Sequence, residues 1–231
     1  MRSFEVIDLG RLDWAKAWEI QQDFVERRKA GLVPDTLLYV EHPHVITKGR
    51  NSSESNILAS PEMLEQLGIS LHEANRGGDV TYHGPGQIVG YPIFDLVPWK
   101  KDVRAYVQAI ETAVIRTLAG YSITASTRDG KETGVYVDLP GRGPAKICAL
   151  GVHISRWVTS HGFALNLDTD LSYFQHIVPC GLSLPVTSMA ALGVTATRSE
   201  VMHTLARHIA EIFHHEFATP ISTELLEETL P

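Results

Sequence analysis

The sequence predicts an α+β fold: a mixed sheet with helices packed against it, in one domain spanning residues 1–231. Three observations carry this. Stretches with strand alternation and stretches with helical spacing follow one another without strict alternation, which argues against a repeated βαβ unit. No internal repeat, low-complexity segment or linker interrupts the chain. A length of 231 residues with 44% hydrophobic and 20% charged residues is ample for a real core and ordinary for a globular protein, so disorder is not the default.

The elements follow in order. Phe4–Gly10 alternates as a strand. Residues Asp13 to Ala30 read as a helix, with Trp14, Trp18 and Val25 at near-helical spacing, Asp13 as N-cap and Gly31 ending the run. Thr36–His42 is a candidate buried strand. Ser60–Gly68 is a short helix with a Ser cap, proline at its first position and glycine at its end. "ISLHEAN" and Ile88–Phe94 read as strands on either side of a Gly-rich segment. Asp102–Ala119 forms a long helix with Val103, Val107, Ile110, Val114 and Leu118 on one face. "GVYVDL", "AKICALGVHIS" and "WVTSHGFALNL" are strands, and a last helix runs from Ser199 to Phe217.

Composition narrows the function. A formal net charge of -7 argues against bulk nucleic-acid binding, which needs basic surface to neutralise phosphate. No apolar run is long enough for a transmembrane helix, and "MRSFEVIDLG" carries charges where a signal peptide needs an apolar stretch. The expected location is the cytoplasm. Two cysteines, Cys148 and Cys180, make no disulfide framework and are expected as thiols. The eleven histidines show no metal-ligand spacing: His42 and His44 flank a proline, and His214–His215 fall on the last helix, where neighbours point apart. No metal site is expected.

"RGGDVTYHGPGQ", Arg76 to Gln87, is the most unusual stretch. Glycines at 77, 78, 84 and 86 permit positive φ and close approach of a ligand to the backbone. Exposed N–H groups in such a loop bind carboxylate, phosphate or a developing oxyanion. Arg76 adds a fork of donors, and Thr81, Tyr82 and His83 could line a pocket. The alternative is a pair of tight turns with no ligand, bent at Pro85. Neither a Walker loop nor a dinucleotide fingerprint fits the spacing.

Cys180 sits between proline and glycine in "HIVPCGLSLPVTS", a bend that would expose a nucleophile. Cys148, mid-strand between apolar neighbours, reads as a core residue. A free thiol, pKa about 8.5, is only a few per cent thiolate at neutral pH. A nearby ammonium lowers that pKa and can then act as acid or base. Lys146 is the candidate, since burying it in an apolar strand without a task is costly. The alternative is that Lys146 snorkels to the strand edge and Cys180 is inert. Strand alternation places Lys146 and Cys148 on one face, so a local pair is the second choice. "SHGFALNL" adds Gly162 for close approach and Asn166 as a polar support.

Taken together, "RGGDVTYHGPGQIVGYPIFDL", "AKICALGVHISRWVTSHGFALNLDTDL" and "IVPCGL" resemble the lipoyl(octanoyl) transferases, from about Tyr39 to Leu192. One departure is Asp79, where that family often has glutamine. The resemblance implies the fold of biotin and lipoate protein ligases, a mixed, mostly antiparallel sheet flanked by helices. It implies Cys180 as acyl-thioester nucleophile, with its pKa lowered by Lys146. It implies substrate binding by Arg76, Gly77, Gly78, Asp79, Val80, Thr81, Tyr82 and His83, by Ala149, Leu150 and Gly151, and by Gly162, Phe163 and Ala164. The implied reaction moves an octanoyl group from octanoyl-acyl carrier protein to a lysine of lipoyl domains, those of 2-oxoacid dehydrogenases and the glycine cleavage H protein. Backbone N–H groups near Gly77–Gly78 or Gly181 would hold the oxyanion.

No cofactor is expected, because a thioester is already activated, and the expected state is a monomer. Leu150, Ile154, Phe163 and Leu165 are candidates for an acyl slot, though each also suits an ordinary core. Lys100, Lys101 and Arg104, or Arg27, Arg28 and Lys29, could offer a basic patch to an acidic carrier. The rivals are an ATP-dependent lipoate–protein ligase, which would carry Asp where this chain has Gly84, and a non-catalytic lipoyl-domain binding module.

Overall fold

The computed structural model describes residues 2–128, 133–178 and 184–217. In chain order, β1 is Arg2–Arg11, α1 Trp14–Lys29, β2 Asp35–Glu41, β3 Val45–Lys48, α2 Pro61–Gln66, β4 Ser70–Glu73 and β5 Val80–His83. Then come β6 Gln87–Ile93, α3 Val103–Ala119, β7 Gly134–Leu139, β8 Gly143–Ser155, β9 Val158–Asn166, α4 Arg198–Phe213 and β10 His215–Phe217. A seven-stranded sheet has the order β10-β1-β2-β6-β9-β8-β7, and a small sheet has the order β4-β3-β5. In the large sheet β1 runs parallel to β2 and β10; the pairs from β2 through β7 are antiparallel. The mixed, mostly antiparallel sheet expected from the sequence is therefore present.

Helices cover both faces of the large sheet. On one, α3 and α4 pack Ile110, Val114, Leu205 and Ile209 onto Leu37, Tyr39, Ile88 and Leu165. On the other, α1 packs Ala17, Phe24 and Val25 onto Leu38, Val40, Val89 and Ala164. Successive β2 residues thus feed opposite cores, which is why that strand reads as a continuous apolar run. The small sheet closes over its own cluster of Ile46, Leu64, Val80 and Tyr82.

Side-chain caps fix the helix starts at Ser60, Asp102 and Thr197, each accepting a backbone N–H in the first turn, a contact of about 1 kcal/mol. Thr197 and Glu200 complete a reciprocal capping box. Asp13 occupies the N-cap position of α1 but makes no side-chain cap bond. Val103, expected on the buried face of α3, is exposed.

Four elements differ from the sequence expectation: the last helix, β10, β5 and β3. The last helix ends at Phe213: His214 takes φ 57 and closes it, and His215–Phe217 turn back as β10 onto Arg2–Phe4. His214 and His215 therefore do not share a helix. Val80–His83, inside the Gly-rich stretch, is a strand, and it pairs with the unforeseen β3. Both strands are four residues long and rich in polar side chains, so neither carries an apolar alternation.

Candidate active site

A pocket of about 530 Å³, partly open to solvent, lies where the small sheet meets the large one. Its floor is β8 and β9. Ala149 pairs with Ala164, and Gly151 with Gly162; Ala164 pairs in turn with Val89 of β6. This row of small side chains leaves a depression across three strands. Lys146, Leu150, Phe163 and Tyr91 border it, and Arg76, Gly78, Val80, Thr81 and His83 roof it from the Gly-rich segment.

That segment is held by its backbone. The Gly77 N–H donates to Val152 O at 2.9 Å, laying the loop on β8. A Cβ on Gly151 would come within 3.0 Å of both Arg76 Cδ and Gly77 O, so glycine there permits the contact. The N–H groups of Gly49, Arg50 and Asn51 donate to the carbonyls of Asp79, Arg76 and Gly78. Arg76 itself is buried, and its Nη2 donates to Thr47 O at 2.7 Å and Thr47 Oγ1 at 2.8 Å. The glycines serve both readings given above: they make tight turns, and the turns build a pocket roof.

Behind the roof runs a chain of hydrogen bonds. Gln87 Nε2 donates to Asn166 Oδ1, and Asn166 Nδ2 to Thr187 O. Gln87 Oε1 therefore accepts from His83 Nδ1 at 2.8 Å, which leaves the lone pair of a neutral His83 on Nε2. Burial, the neighbouring His42 and the Arg76 guanidinium lower the His83 pKa to about 3, although its bond to Gln87 opposes the shift. His161, at φ 54, donates from Nε2 to Asn75 Oδ1 and stacks on Trp18 at 4.6 Å. Burial and then Arg76 lower its pKa to about 3. His42 bridges Leu12 O and the Tyr91 hydroxyl, and burial lowers its pKa to about 4. Near neutral pH, all three imidazoles are uncharged.

Lys146 is 9% exposed and its Nζ lies 5.3 Å over the Tyr136 ring, the residue opposite it on β7. Snorkelling to the strand edge is therefore not what this side chain does. Cys148 does not share its face. The register slips between Val135 and Tyr136, so Ile147 is an extra residue in β8. This bulge sends Ile147 and Cys148 together into the α3–α4 core while Lys146 lines the pocket. Burial raises the Cys148 thiol far above its ordinary pKa. The second-choice Lys146–Cys148 pair is thereby corrected.

Cys180 and Gly181 lie outside the described residues. Their described neighbours are tied down on both sides. Val178 N donates to Asn56 O, and Ile177 bridges Ile57. Farther along, Lys146 N donates to Pro185 O and Thr187 N to Lys146 O, both at 2.9 Å.

Not every expected residue faces the pocket. Gly77 contributes its backbone to β8, and its N–H is committed to Val152 rather than open to an oxyanion. Asp79 turns away, binding Asn56 Nδ2 at 2.5 Å and Val80 N at 2.7 Å. Tyr82 points into the small-sheet cluster, stacked with Tyr173 and bonded to His44. All four acyl-slot candidates pack in or against the α3–α4 core, and of them only Leu150 and Phe163 also border the pocket. Arg28 turns inward to the buried Asp35 at 2.7 Å, and Arg27 and Lys29 pair with Asp23 and Glu26. Trp14, Val89, Tyr91 and His161 line the pocket unforeseen. Only His161 had a usable signal, its place beside Gly162. The others look like any core residue at helical or strand spacing.

Residues 13–210 match the family described as the lipoyl protein ligase A/B catalytic domain. The chain is 59% identical over 216 residues to an octanoyltransferase of Solibacter usitatus (strain Ellin6076), covering 94% of this chain and 96% of that protein. It is 49% identical to an octanoyltransferase of Koribacter versatilis (strain Ellin345), covering 98% and 90%. Among solved structures, a bi-partite lipoate protein ligase from Thermoplasma acidophilum, described with its E2 lipoyl domain, superposes with TM-score 0.74 at 17% identity over 96% and 88% of the two chains. Biotin protein ligase from Aquifex aeolicus, bound to biotin and ATP, gives 0.54 at 14% over 93% and 71%. These two structures show the shared fold.

Proposed function

This chain belongs to the lipoyl protein ligase A/B catalytic-domain family and is an acyltransferase of protein lipoylation; from that premise we propose that it carries octanoyl from octanoyl-acyl carrier protein to a lipoyl-domain lysine through a thioester on Cys180. In this reading Lys146 takes the Cys180 proton, and the thiolate attacks the acyl carbonyl. A Cys180–acyl bond forms, the carrier thiolate leaves, and Lys146 returns the proton to it. The neutral acceptor amine then attacks the thioester. An amide forms, Cys180 leaves as thiolate, and the amine proton passes to Lys146. The slot between Ala149–Gly151 and Gly162–Ala164 holds the acyl chain, and Arg76 with His83 gives the roof its polar contacts.

The observation that supports this best is the burial of Lys146 in the wall of an apolar slot, with the chain just beyond Cys180 hydrogen-bonded to its own peptide groups. Against an ATP-dependent ligase stands Gly84, packed so closely on the Tyr82 hydroxyl that the Cβ of an Asp there would overlap it. The acceptors in this reading are the lipoyl domains of 2-oxoacid dehydrogenases and the glycine cleavage H protein, met by a cytoplasmic monomer. Among the described residues no helix is long and apolar enough to cross a membrane.

The test is intact-protein mass spectrometry after mixing with octanoyl-acyl carrier protein, without ATP. Wild type gains one octanoyl group and loses it to an added lipoyl domain, whereas Cys180→Ser gains none. Lys146→Gln slows transfer by about 10²–10⁴-fold, the usual contribution of a positioned acid–base group. Full transfer activity in Cys180→Ser would end the thioester reading.

A further inference from the structure

We propose that the Trp14 indole sets the far end of the acyl slot and so limits the length of the chain this enzyme transfers. The inference rests on the acyl-transfer reading above. The floor of the slot crosses the sheet in register, from Ala149 on β8 through Ala164 on β9 to Val89 on β6. Two strand spacings make this path about 10 Å long, comparable with an extended eight-carbon chain. The reacting end belongs to β8, the strand that carries Lys146. The opposite end lies under α1, which packs over β9, β6 and β2. Trp14, the first residue of α1, lines the same pocket, on the side where Val45 and Ala74 of the small-sheet region pack with it.

The indole is a fixed stop. It is 7% exposed, stacked on Trp18 at 5.9 Å and on His72 at 5.1 Å. Val45 and Ala74 pack with it. Trp18 is itself stacked on His161, whose ring bonds Asn75. Where the floor is built from Ala, Gly and Val, this indole is the largest side chain lining the pocket. Removing it lengthens the slot without touching the reacting end.

The experiment measures kcat/KM of wild type, Trp14→Ala and Trp14→Leu with hexanoyl-, octanoyl-, decanoyl- and dodecanoyl-acyl carrier protein. For Trp14→Ala the decanoyl-to-octanoyl ratio rises about fifteenfold, the value of two further buried methylenes at about 0.8 kcal/mol each. Trp14→Leu, which keeps an apolar side chain in α1, shifts the ratio in the same direction by less and serves alone if the alanine variant does not fold. Folded variants with the wild-type ratio would overturn the role of Trp14 and leave the transfer reaction standing. A folded wild type that transfers none of the four chains would instead overturn the acyl-transfer reading itself.

Discussion

At His83, Nδ1 lies 2.8 Å from Gln87 Oε1, and the ring is buried beside Arg76 and His42. His42 and His161 share this situation, with pKa values lowered to about 4 and about 3. The unfolded chain titrates these rings near pH 6.5. Between that value and the folded ones the unfolded state binds more protons. The stability the three rings contribute is therefore complete above pH 6.5 and is lost as pH falls toward 4 and then 3. Each ring adds a slope of up to about 1.4 kcal/mol per pH unit. Urea unfolding from pH 7 to pH 5 is expected to show a falling midpoint, and His161→Gln to flatten the fall. At this scale the sequence was readable where chemistry stood out from its surroundings: Lys146 among apolar neighbours, Arg76 and His83 among glycines. Trp14 and Tyr91 were not readable, because an aromatic in a core and an aromatic in a pocket wall obey the same spacing.

The elements that matter for the slot are β6 and β9, joined face to edge by a glycine. A Cβ on Gly90 would overlap the Phe163 ring, so the ring occupies space that only glycine leaves. Gly90→Ala is expected to cost about 1–3 kcal/mol as an overpacked core does, read from the urea midpoint. It should also raise KM for the octanoyl donor, since Phe163 borders the pocket. Most elements were legible from alternation, helical spacing and caps. The exceptions have physical causes. The two four-residue strands β3 and β5 draw their pairing from each other rather than from an apolar pattern. The β8 bulge is a tertiary choice: Lys146 beside the slot and Cys148 in the core cannot both follow simple alternation. His215–Phe217 become a strand because Arg2–Phe4 offers an edge, a partner too distant in sequence for periodicity to reveal.

For the whole molecule, Asp35 ties α1, β10 and the segment after β6 to β2. It is 2% exposed and accepts from Arg28 Nε on α1 at 2.7 Å, from His215 Nε2 on β10 at 2.7 Å and from Asp95 N after β6 at 2.8 Å. Burial alone would raise its pKa, but the bonds from His215, Asp95 N–H and Arg28 outweigh it and hold the carboxylate charged. Asp35→Ala leaves the buried His215 imidazole without its acceptor and the half-buried Arg28 with only the Asp95 carboxylate at 3.6 Å, a loss of about 3–5 kcal/mol. The melting temperature is expected to drop by about 10 °C, with transfer chemistry unchanged at temperatures where the variant stays folded. A variant that melts with wild type would show that β10 is held by its stacked rings, Phe4 and Phe217 among them, and not by this carboxylate. Cys148 carries a different consequence. Fully buried by the bulge and with its thiol pKa raised, it is closed to alkylating reagents until the sheet around it opens. The native chain thus contains a chemical clock: the rate at which a thiol reagent marks Cys148 counts the openings of β7, β8 and β9, with no label or mutation introduced.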